Sequence, residues 1–329
     1  MKGERGDQLA LFDVGAAPRP RVEPHHDPVD RQLAERLPAW LRFGTSSWTF
    51  PGWAGIVYGG KPTQADLVRS GLAAYAQHPL LSAVGVDRSY YGPLTRDEWA
   101  TYAGDVPERF RFVSKAWDEL TTCVYPKHPR YGARAGQRNP HFLDPARAAE
   151  IACDMHKSLG PKAGALVFEL TPMPPGAIDE RTLSRKIEAL VRDLPGGLRV
   201  AFELRNRELL GERHLATLRA AGAAHVLTYW TAMPPLRAQL AMEGSLGATF
   251  TVLRLMLPPF LRYEARKAEL APFDRIVAPE HDMRDDVVLA CRRALDRGLG
   301  EVFVLVNNKA EGSAPLTIRA LAEKVIEAL

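Results

Sequence analysis

Leu41-Arg42-Phe43-Gly44-Thr45-Ser46-Ser47-Trp48-Thr49-Phe50-Pro51-Gly52-Trp53-Ala54-Gly55-Ile56-Val57-Tyr58 begins as a short strand, Leu41 to Thr45, and continues as an aromatic loop with no charged side chain. Loops normally face water, so an uncharged aromatic loop either packs on something or binds something. Two readings stay open. The loop plugs the end of a barrel, or Trp48, Trp53 and Tyr58 wall a pocket beside the small hydroxyls of Thr45 and Ser46.

Outward from this strand, short apolar runs alternate with amphipathic stretches. The remaining strand candidates are Ser82–Tyr91, Phe110–Lys115, Gly164–Glu169, Leu198–Leu204, Ala224–Tyr229, Ala248–Leu255 and Val302–Val306. Helices between them have readable starts. Thr63 with Asp66 resembles a capping box, and Asp144 followed by Pro145 is a cap with proline at the first helical position. Asp179–Leu194, Met283–Leu299 and the closing Thr317–Leu329 are further helix candidates, the first two with apolar residues at three- and four-residue spacing. Strands alternating with helices in this number predict parallel pairing, and a closed (β/α)8 TIM barrel is the economical arrangement. An open doubly wound sheet is the alternative, weakened because no glycine-rich phosphate turn follows the first strand.

At 329 residues the chain suits one α/β barrel, and 46% hydrophobic with 25% charged residues is ordinary for a soluble domain. Residues 1–38 read as a flexible Pro/Arg-rich tail, with a helical turn available around Pro28 to Leu37, and residues 39–329 as the barrel. No apolar run is long enough to span a bilayer, and the N-terminus lacks the apolar core of a signal peptide. Cys123, Cys153 and Cys291 are odd in number and far apart, which argues against a disulfide framework and fits the cytoplasm. The net charge of +4 permits an anionic partner without requiring one.

Chemistry-bearing residues gather at the predicted C-terminal ends of strands, where barrel active sites lie. On the fifth strand Ala201, Glu203 and Arg205 share a face, so Glu203 is a candidate acid–base group and Arg205 its orienter or an anion ligand. Lys115, Glu169, Arg254, Asn307 and Asn308 stand at or near other strand ends. On the second strand Gly85, Asp87, Ser89 and Tyr91 share a face, which brings Asp87 into the same cluster. Taken singly, Lys115, Glu169, Arg254, Asn307 and Asn308 each read better as a solvated strand terminus. Together they suit an oxyanion, phosphate or sugar ligand better than an apolar one. The histidines show no HxH or HExxH spacing, which leaves His128 and His141 of a long loop as the remaining metal candidates, and the absence of a G-x-S-x-G elbow argues against a serine hydrolase; no metal or other cofactor is predicted. Two long connections lie on the same side: Ala116–Leu143, with Lys127, Arg130, Arg134 and Arg138, and Met256–Asp282.

By these residues the chain resembles the YecE-like family, domain of unknown function 72. Gly44-Thr45-Ser46 with Trp48 matches its opening motif. Trp99, Pro107, Phe110, Phe112 and Lys115 look like its Trp-Pro-Phe-Phe-Lys stretch, Glu203-Leu204-Arg205 its Glu-Phe-Arg, and Asn307-Asn308 its paired asparagines. The likeness runs over about residues 42 to 328. It implies a TIM barrel and no established reaction. Departures fall on polar positions: Gly85 stands where the family has Glu, Asp87 where it has Asn, Glu169 where it has Gln, and Met256 where it has His.

In the tail, Gln8-Leu9-Ala10-Leu11-Phe12 resembles the short peptide by which repair and replication proteins bind the bacterial sliding clamp; its anchors would be Gln8, Leu9, Leu11 and Phe12. The sequence therefore supports an enzyme acting on an anionic small molecule through Glu203, Asp87 and Glu169, with Thr45, Ser46, Trp48, Tyr91, Lys115, Arg205, Arg254, Asn307 and Asn308 as ligand contacts. The alternatives are a nucleic-acid-associated protein tethered to the clamp and a non-catalytic small-molecule binding barrel.

Overall fold

The computed structural model of the chain describes residues 22–258 and 263–329. Eight strands, β1 (Leu41–Thr45), β2 (Ala83–Val86), β3 (Arg111–Lys115), β4 (Ala163–Glu169), β5 (Val200–Glu203), β6 (Ala224–Tyr229), β7 (Phe250–Leu255) and β8 (Glu301–Val306), pair in parallel and in sequence order, and β8 closes on β1. This is the TIM barrel expected from the alternation. Helices α1 (Pro28–Arg36), α2 (Gln64–Tyr75), α3 (Arg88–Tyr91), α4 (Arg96–Gly104), α5 (Asp118–Thr121) and α6 (Pro145–Leu159) accompany the first half of the chain. Helices α7 (Glu180–Asp193), α8 (Glu212–Ala221), α9 (Leu236–Ala241), α10 (Tyr263–Leu270), α11 (His281–Asp296) and α12 (Ala314–Ala328) follow.

The local signals act as their chemistry requires. Thr63 Oγ1 accepts from the Asp66 amide while the Asp66 carboxylate accepts from the Thr63 amide, so α2 begins with a complete capping box. Asp144 accepts from the amides of Ala146 and Arg147 at the start of α6. Closure brings β1 and β2 together so tightly that a Cβ on Gly44 would lie 2.2 Å from the Ala83 carbonyl oxygen. Alternation along each strand then sorts the barrel interior into layers. Small and medium apolar residues (Ala83, Val113, Ala165, Ala201, Val226 and Leu305 among them) fill its middle. Charged side chains occupy both ends.

Two expectations are corrected, and one open alternative narrows. The second strand ends at Val86 rather than Tyr91, because the Ser89 hydroxyl returns to within 2.8 Å of the Val86 carbonyl and 2.7 Å of the Lys115 carbonyl, folding the chain into α3. Gly85, Asp87, Ser89 and Tyr91 thus share no strand face. Residues 22–38, expected within a flexible tail, pack on the barrel: the Arg319 guanidinium of α12 contacts Asp27 and Asp30 at 2.6 Å, and buried His78 lies 3.2 Å from Asp30. The segment from Gln8 to Phe12 lies outside the described residues. Of the two readings left open for the aromatic loop, its packing fits the plug. Trp53 and Tyr58 are fully buried, Trp53 Nε1 donates to Asn308 Oδ1 at 3.1 Å, and the Tyr58 hydroxyl donates to the Trp48 carbonyl.

Candidate functional site at the barrel mouth

Six charged side chains converge where β2, β3, β4, β5 and β7 end. Glu203 Oε1 is 2.6 Å from Arg205 Nη2 and accepts from the Thr228 hydroxyl at 3.1 Å; its other oxygen pairs with Arg254 Nη1. Glu169 meets three cations: Arg254 at 2.5 Å, Lys115 at 3.0 Å and Arg205 at 3.3 Å. Lys115 Nζ also lies 2.9 Å from Asp87 Oδ1. Three carboxylates and three cations form one continuous network with no net charge.

Accessibility grades across it. Side-chain exposure is 38% at Asp87, 18% at Glu169 and 13% at Lys115, then 4% at Arg205, 3% at Arg254 and nil at Glu203. The inner three are therefore a buried foundation and the outer three the more accessible face. Glu203, expected as the principal acid–base group, is closed off from solvent and holds the two arginines in place. Arg205 is further fixed by Trp230, whose ring lies 4.0 Å from its guanidinium carbon.

The electrostatics follow from the contacts. Burial would raise the Glu169 carboxyl, but Arg205, Lys115 and Arg254 together hold it well below the usual carboxylate range. Burial works against the Lys115 ammonium, yet Asp87 and Glu169 raise it above its ordinary value. Both groups are ionised at neutral pH. Lys115 Nζ also stands 5.4 Å from the Tyr90 ring centre. Beneath the outer groups lies a small hollow lined by Ser46, Gly85, Asp87, Val113, Lys115, Val167, Arg254 and Leu305. A Cβ at Gly85 would come within 2.9 Å of the Ser46 carbonyl oxygen, so the carboxylate that the resemblance suggests at this position does not fit this backbone.

The other sequence candidates divide. Ser46 lines the hollow, with its hydroxyl 3.7 Å from Met256 Sδ. Thr45 faces outward, bonding the Tyr75 hydroxyl at 2.8 Å and donating to the Ser47 carbonyl at 2.7 Å. Trp48 packs edge-on against Tyr102 in the helix layer, and Tyr91 sits exposed on α3. Asn307 caps the Lys309 amide, and Asn308 accepts from Trp53 and from the Ala314 amide, so this pair braces the β8 end. Thr45, Trp48 and Asn308 thus make framework contacts in this structure. Sequence reasoning missed Thr228 and Trp230, although the alternation Ala224, Val226, Thr228, Trp230 along β6 put a hydroxyl and an indole on the inward face. In the long basic connection, Arg130 pairs with Asp118, Arg134 lies 2.9 Å from Glu119, and Arg138 donates to the Ala177 carbonyl at 2.8 Å. Much of its charge is spent inside the fold. Among the described residues no group of three or more His, Cys, Asp or Glu is arranged to hold a metal ion, and no helix is long and apolar enough to cross a membrane.

Residues 42–328 match the model of a family described as a protein of unknown function, DUF72. Among solved structures the chain is similar to a DUF72 family protein from Enterococcus faecalis, at 20% identity over 87% of this chain and 95% of that one, with a TM-score of 0.57. It is likewise similar to a DUF72 family protein from Thermotoga maritima, at 17% identity over 87% and 99% of the two chains, with a TM-score of 0.55. At these identities the likeness bears on the fold alone. No curated protein matches the chain.

Proposed function

We infer that this chain, which belongs to the DUF72 family, is an enzyme whose barrel mouth takes a small anionic substrate bearing a phosphate or sugar-acid group and acts on it by acid–base chemistry. One observation carries the reading: a fully buried Glu203–Arg205–Arg254 foundation supports a partly open Asp87–Lys115–Glu169 face at the catalytic end of the barrel. A buried ion cluster is a poor device for stability, since well-packed apolar residues of similar volume do as well or better. Its value lies in holding the outer groups in fixed positions before substrate arrives.

The roles follow from exposure and charge. Lys115 is the cation that a substrate oxyanion reaches, exchanging one of its two carboxylate partners for the ligand. Asp87, the most open carboxylate, is the group placed to take a proton. Glu169, pulled down by three cations, stays ionised and is a charge template, not a proton donor. Glu203 and Arg254 are positioning residues.

Thermal-shift screening against sugar phosphates and sugar acids tests this, with Lys115→Met and Asp87→Asn as variants. The expected result is a ligand that raises Tm in the native protein, does so much less in Lys115→Met, and is bound but not turned over by Asp87→Asn. Stabilisation that survives Lys115→Met would remove the ligand from this face. Steeply salt-dependent oligonucleotide binding at Lys115 would instead make nucleic acid the ligand.

A further inference from the structure

The floor of the barrel carries a charge imbalance that its mouth does not. Arg42 on β1, Arg111 on β3 and Arg199 just before β5 stand around a single carboxylate, Glu301, at the start of β8. Glu301 Oε1 is 2.5 Å from Arg42 Nε and 3.6 Å from Arg111 Nε, and Oε2 is 2.8 Å from Arg199 Nη2. The other carboxylate nearby, Glu108, is 81% exposed and paired with Lys162 at 3.2 Å. Three guanidiniums thus share one internal counter-charge, a surplus of two positive charges. At the mouth the same tally is zero.

The donors are incompletely used. Arg111 gives Nη1 to the carbonyls of Glu108 and Phe110 at 2.8 and 3.0 Å, but its buried Nε meets no hydrogen-bond acceptor among the described residues. Burial, and then the Arg42 charge beside it, hold the Arg111 guanidinium below its ordinary value. Access is retained, with side-chain exposures of 15% at Arg42, 17% at Arg111 and 38% at Arg199.

We propose that this floor is a second ligand site, where a small divalent oxyanion of the phosphate class binds against Arg42, Arg111 and Arg199. A dianion matches the surplus charge, and planar guanidiniums suit its oxygens by paired hydrogen bonds. The site is at the opposite end of the barrel from the mouth and does not depend on the function inferred there.

Isothermal titration of the full chain with inorganic phosphate, at constant ionic strength held with chloride, tests it. Arg199→Gln, the most exposed of the three, should weaken phosphate about tenfold or more, the loss of one charged hydrogen-bonding partner. Glu301→Gln should act in the opposite sense: it adds a further surplus charge, so phosphate binds more tightly and raises the variant's Tm more than that of the native protein. Lys115→Met at the mouth should leave phosphate binding at the floor unchanged. Phosphate binding lost in Lys115→Met but kept in Arg199→Gln would overturn the proposal. So would no detectable phosphate binding, or a Glu301→Gln variant no tighter than native.

Discussion

Replacing Glu203 by Gln keeps the shape of the side chain and removes one charge from a site with no solvent exposure. Arg205, at 2.6 Å, and Arg254 then face an amide, and the network holds three cations against Asp87 and Glu169. Breaking a buried pair by deleting one partner costs about 3–5 kcal/mol. In a chain of this size that corresponds to a fall in Tm of roughly 4–7 °C. Arg254→Met alone should cost a similar amount for the opposite reason, leaving the carboxylates in excess. The double variant restores balance: Asp87 and Glu169 against Lys115 and Arg205. Its destabilisation should therefore be well below the sum of the singles, with a coupling on the order of 2 kcal/mol, inside the range for residues in one network. Urea denaturation followed by circular dichroism on the four proteins of this cycle gives the number. Additive costs, or a Glu203→Gln penalty under about 1 kcal/mol, would refute the reasoning that charge balance holds the mouth together.

Two more expectations concern stability. Burial pushes His214 down to about 3, with neighbouring His225 adding to the effect, and burial pushes His225 down to about 4. Both are neutral in the folded chain, whereas unfolded imidazoles gain protons below about pH 6.5, so their contribution is intact above that pH and is lost as pH falls toward those lower values. The urea midpoint should already decline between pH 6.5 and 5, and His214→Leu/His225→Leu should flatten that decline; an unchanged slope would count against it. Gly44→Ala should prevent stable folding or lower Tm severely, since its Cβ would sit 2.2 Å from a backbone oxygen of β2. A native-like melting curve for that variant would show that the first two strands can part without cost.

Much of the framework was legible along the chain. Strand alternation, the Thr63–Asp66 box and the Asp144-Pro145 cap are set by residues a few positions apart, and each appears where its chemistry predicts. Strand ends gave the polar cluster because a barrel gathers them on one face: Lys115, Glu169, Glu203, Arg205 and Arg254 do meet. Where local signals competed, the reading slipped. Asp87 to Tyr91 alternate like a strand, yet the Ser89 hydroxyl turns them into a helix. The aromatic loop has the composition of a pocket wall, and only packing shows that Trp53 and Tyr58 are spent inside the core.

Sequence alone determined the repeating unit, its parallel pairing and the types of side chain at each strand end, because those depend on periodicities of two and about 3.6 residues. Tertiary structure decided which charges share a partner. Arg254 lies 85 residues from Glu169, and Arg42 lies 259 residues from Glu301; closure and strand register alone set them 2.5 Å apart. The balance of the mouth, the excess at the floor and the sealing of Glu203 beneath its arginines are products of that closure, for burial and ionic pairing are properties of the assembled barrel and of no segment within it.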